Sequence, residues 1–60
     1  MKFTLEVELD QLSGDTVEEL GRILRYWAGN LKHYELVDGT SETLMDSEYQ
    51  PVGIWQIHNK

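Results

Sequence analysis

Apolar and polar residues alternate without a break through "KFTLEVEL". Phe3, Leu5, Val7 and Leu9 fall on one side, and Lys2, Thr4, Glu6 and Glu8 on the other. A period of two is the pleat of a strand, so this run predicts a strand with one core face and one wet face. "DQLSGD" ends the pattern with the turn formers Asp10, Ser13, Gly14 and Asp15. The period then lengthens: Val17, Leu20, Ile23, Leu24, Trp27, Ala28, Leu31 and Tyr34 recur at threes and fours, the apolar stripe of an amphipathic helix. Its start has two candidate caps, Thr16 with Glu19 or Asp15 with Glu18, each with capping-box spacing and acids where the helix dipole favours them. Gly29 costs about 1 kcal/mol against alanine inside a helix. The stripe nevertheless continues through Leu31, which extends the predicted helix to about residue 33. Beyond it, "VDGTS" reads as a loop, "ETLMD" as a short strand and "SEYQ" as a turn. Pro51 opens the last strand, where a missing N–H is tolerated.

Strand, helix, strand, strand predicts a single α+β domain of two layers, one helix packed on a three-stranded antiparallel sheet. "VGIWQI" is apolar on both faces, which suits the central position, so the last strand is expected between the other two. On that reading Trp55 and Ile57 face the helix, Gly53 lets the helix approach closely, and Trp27 meets Trp55 in the core. Val52 and Ile54 then fall on the uncovered face beside Glu6 and Glu8, joined by Leu44 or Met45. A contiguous exposed apolar patch marks an interface. The candidate protein-binding residues are therefore Glu6, Glu8, Val52 and Ile54.

Composition narrows the chemistry. A chain of 60 residues buries only about 60% of the surface its unfolded form exposes. There is no cysteine to staple it, and His33 and His58 lie far apart without ligand-spaced companions, so neither metal nor cofactor is expected. Eleven acids against five bases give a net charge of -6. That disfavours a nucleic-acid backbone or an anionic membrane, and suits solubility or a basic partner. No run approaches a membrane span, and "MKFTLEVELD" lacks the apolar core of a signal peptide, so a cytoplasmic protein is expected. No catalytic set can be assembled. Ser13, Ser41 and Ser47 lie in predicted turns, "LSGDT" lacks the second glycine and the lysine of a phosphate loop, and Glu6 with Glu8 is the ordinary wet side of a strand. The chain is not expected to be an enzyme.

Two other readings stay open. Arg22, Arg25 and Lys32, with Tyr26 interleaved, offer a direct nucleic-acid contact along the helix. Glu6, Glu8 and Asp10 or Glu42 are the candidates for an acidic mimic of nucleic acid that would block a DNA-binding enzyme.

"MKFTLEVEL" at the start, "TVEELGRILRYWAGNL" in the middle and "VGIWQI" at the end resemble a group of small uncharacterised proteins of actinobacteria and their phages. The resemblance covers most of the chain. It departs at "DSEYQP", where an Asn-Gly type of turn would be expected. It implies a phage or mobile-element setting and brings no activity. The expectation is a small acidic protein-binding module, acting on a host protein, with a homodimer left open.

Overall fold

In the computed structural model, which describes residues 1–59, the alternating N-terminal run forms β1, Lys2–Val7. A short 3-10 turn at Leu9–Gln11 leads to α1, Thr16–Asn30, which tightens into a second 3-10 turn at Leu31–His33. β2, Ser41–Met45, and β3, Pro51–His58, form a hairpin. The sheet order is β1-β3-β2 and both pairings are antiparallel. The α+β architecture, the helix length and the central last strand are those the pattern predicts.

Of the two possible caps the helix uses Asp15, whose carboxylate accepts the N–H of Glu18 at 3.1 Å. This leaves Glu19 for another task, described below. Ile23 and Trp27 bury the helix against Leu44, Val52, Trp55 and Ile57 of the hairpin, with Leu5, Val7, Leu20, Leu31 and Tyr34 around them. The two indoles meet edge-on, with centroids 5.5 Å apart, and Tyr34 stands edge-on to Trp55 at 5.3 Å. Such T-shaped pairs set the positive edge of one ring against the negative face of another. The Trp55 indole Nε1 is buried without a hydrogen-bond partner.

Several positions depart from the pattern. Leu9 continues the alternation on paper, but the chain has already turned and Leu9 is exposed; Leu12 enters the core instead. Val17, Leu24 and Ala28 lie outside the buried band, because a single helix touches a three-stranded sheet along a narrow line. Gly53 makes room for β1 and not for the helix: a Cβ there would collide with the Glu6 carbonyl of the neighbouring strand.

The largest correction concerns Val52. Leu44 pairs with Gly53 while the next residue, Met45, pairs with Pro51, so Val52 is an extra residue in β3. A β-bulge of this kind breaks the strict in-out alternation. Val52, 2% exposed, joins the core and not the uncovered face.

Candidate functional site

The uncovered face does not carry the expected apolar patch. Glu6 and Thr43 flank Ile54, and Thr4 and Ser41 flank Gln56. At the end of that face the Thr4 hydroxyl lies 3.3 Å from the His58 Nε2. Leu44 is fully buried and Val52 is in the core. Of the four residues singled out above, Glu6 and Glu8 are exposed, Ile54 is half-buried, and Val52 is unavailable to a partner. Met45, two residues along β2 from Thr43 and 42% exposed, falls on this face with Ile54, and two apolar residues among polar side chains make an ordinary wet sheet face.

The conspicuous surface lies instead where the helix meets the outer edge of β2. Its geometry begins with the hairpin turn. The Asp46 backbone N–H donates to the Gln50 carbonyl, and the Tyr49 N–H donates to the Asp46 carbonyl. The buried Asp46 carboxylate accepts the N–H groups of Glu48 and Gln50 at 2.9 and 2.8 Å. A three-residue loop of this type ends in a left-handed position that glycine normally fills. Here it is Tyr49, with φ of 61° and 83% of its surface exposed. The aspartate thus over-determines a turn that holds a bulky ring in solvent.

The helix is tied to the same hairpin. Arg22 Nη2 donates to Glu19 Oε1 at 3.3 Å and to the Met45 carbonyl at 3.1 Å, and the same Glu19 oxygen accepts the Ser47 N–H at 3.2 Å. Between this clasp and Tyr34 lies a groove of about 730 Å³, lined among others by Arg22, Tyr26, Trp27, Tyr34, Glu42 and Tyr49. Tyr26 is 54% exposed and stands edge-on to Trp27 at 5.1 Å. Glu42 is opposite Trp55 in the sheet and so projects to the helix side of β2. Burial of the Tyr34 phenol, and then the neighbouring charge of Glu42, push the Tyr34 pKa above its ordinary value of 10.0. The groove therefore combines aromatic walls with the exposed carboxylate of Glu42.

The cations read as a nucleic-acid row are divided: Arg22 is committed to Glu19 and the Met45 carbonyl, while Arg25 and Lys32 are exposed. Among the described residues no three His, Asp or Glu side chains come together as a metal site requires, and no helix is long and apolar enough to cross a membrane. Pattern reading missed Asp46 and Tyr49. The available signal was an aspartate opening a turn that contains an aromatic residue and no glycine. No protein-family model, curated protein or solved structure matches the chain.

Proposed function

We propose that this protein is a small acidic protein-binding module whose working surface is the groove between α1 and β2, rimmed by Tyr26 and Tyr49. The observation that carries this reading is the backbone of Tyr49. A non-glycine residue in the left-handed region costs about 1–2 kcal/mol, a large share of the stability of so small a domain. Such strain is characteristic of functional positions. A tyrosine outside the core stands there, its ring displayed to solvent, on a turn stiffened by Asp46. Rigid exposed tyrosines beside a concavity are the usual anchors of protein interfaces.

The resemblance to small proteins of actinobacteria and their phages, with the phage or mobile-element setting it implies, favours a host protein as the partner. The acidic-mimic reading has less support. Glu6 is on the open sheet face, Glu18 at the helix start, Glu42 in the groove and Glu48 at the hairpin tip, so the acids do not line one surface as phosphates do.

Site-specific photocrosslinking in the host tests the reading. A photoreactive phenylalanine analogue at Tyr49 is expected to trap a discrete protein, and the same analogue at Ile54 is expected to trap none. Capture from Ile54 alone would move the working surface to the open sheet face. Capture from neither would remove the proposal.

A further inference from the structure

The groove has a wall that is not made of side chains. The Thr40 carbonyl accepts the N–H of Ile57, so the backbone at position 40 points into the sheet. Antiparallel strands alternate this direction residue by residue. The groups of Ser41, Thr43 and Met45 therefore point outward from β2. The bond from Arg22 to the Met45 carbonyl, made from outside the sheet, agrees with this. β2 is an edge strand, and among the described residues nothing pairs with the outward N–H and C=O of Thr43. Both Thr43 and Met45 line the groove. Arg22 closes the edge at Met45, which limits a docked strand to a few residues centred on Thr43.

Resting on the reading of this groove as the working surface, we infer that its occupant is an extended segment of a partner protein that adds as a short strand to β2 and places a cationic side chain in the groove. Strand addition supplies backbone hydrogen bonds, and alternate side chains of the added strand fall on the helix side, where the groove lies. The charge of that side chain follows from complementarity. Glu42 projects into the groove, the one lining arginine is already paired with Glu19, and the chain carries a net charge of -6. The rings of Tyr26, Tyr34 and Trp27 add faces and edges over which a guanidinium or ammonium group is attracted. An acidic side chain would meet Glu42 instead and be repelled. The outer edge of β1 offers no comparable site: the hollow near it is about 220 Å³, lined by Met1, Lys2, Phe3, Leu36 and Ile57, with a cation and no acid.

The probe is the capped pentapeptide Thr-Val-Arg-Val-Thr, titrated into the intact protein while amide and indole resonances are followed by NMR. Three controls accompany it: citrulline for arginine, which keeps shape and removes charge; glutamate for arginine; and a version N-methylated at alternate peptide bonds, which cannot complete a ladder. The arginine peptide is expected to shift the Thr43 and Met45 amides and the Trp27 indole. Citrulline is expected to bind about tenfold more weakly, the size of one charge-assisted contact. The glutamate and N-methylated peptides should not bind. Tyr26→Ala and Glu42→Gln, both at exposed positions and so expected to fold, should each weaken the arginine peptide. Equal binding of arginine and glutamate peptides, retained binding after N-methylation, shifts confined to Ile54 and Gln56, or no shifts at millimolar peptide would each overturn the inference. If position 49 still crosslinks a partner in that case, the groove survives as the working surface and only the cationic strand is lost; if it does not, both readings fall together.

Discussion

Tyr49 and Tyr34 place opposite demands on stability. Tyr49 occupies a left-handed position without packing in return. Tyr49→Gly should therefore stabilise the protein by about 1 kcal/mol, partly offset by the extra freedom of glycine when unfolded. A melting temperature higher by a few degrees would confirm that the turn is strained by the side chain; a lower one would show that the ring supports the fold. For Tyr34 the sign is set by burial and by Glu42, which both disfavour the phenolate in the folded state. Its contribution to stability is thus complete below the ordinary tyrosine range and declines as pH rises from there through the raised value. Ultraviolet titration should show one tyrosine ionising late, absent in Tyr34→Phe. Glu42→Gln should lower that midpoint only in part, because burial raises it independently of Glu42. Gly53 is the third sensitive residue. Gly53→Ala drives a methyl group into the Glu6 backbone, so β1 and β3 must part locally. Overpacking of this kind costs about 1–3 kcal/mol, and a thermal melt should fall by roughly 4–8 °C per kcal/mol in a domain this small. An unchanged melt would mean that the bulge absorbs the methyl.

The helix and the hairpin depend on one another more than on their own propensities. α1 contains Gly21 and Gly29, and an isolated helix of 15 residues is marginal in water. Its stability comes from Ile23 and Trp27 against the hairpin and from the Arg22–Glu19 clasp on the turn. The hairpin in turn needs the helix to cover Leu44, Val52 and Trp55. Trp27→Ala removes the ring that touches Trp55, Tyr34 and Tyr26 together. Truncating a buried aromatic costs about 3–5 kcal/mol, comparable with all that a core of this size supplies. Circular dichroism should therefore show loss of helix and sheet in one step at room temperature. A variant that melts within a few degrees of the parent would show that the helix docks through other residues.

For the molecule as a whole, the open sheet face decides whether copies associate. That face is polar apart from Ile54 and Met45, and the chain carries a net charge of -6. Neither property favours a symmetric pairing of sheets, since like charges would be brought opposite one another. The protein is expected to sediment as a monomer, with a melting temperature independent of its concentration. A melting temperature that rises with concentration would indicate a dimer stabilised by mass action.

Periodicity was enough to locate every main element. A run with period two, a stripe with period 3.6 and a proline at a strand start are local signals, each written within one segment, and the order of the strands was read from the apolar content of the last segment, although the bulge leaves Ile54 and not Val52 on its second face. The indole pair Trp27–Trp55 was legible for the same reason. The binding surface was not. The face of Val52 depends on a bulge, which is a mismatch between two strands and is absent from either alone. Leu12 and Leu9 exchange roles because the chain turns after Val7, and the Glu19 partner lies in the hairpin, 28 residues away. The groove likewise has one wall from the helix, one from the edge of β2 and a rim from the turn. Side chains that converge from three segments obey no sequence period, so only the tertiary structure could bring Tyr26, Tyr34, Glu42 and Tyr49 to one surface.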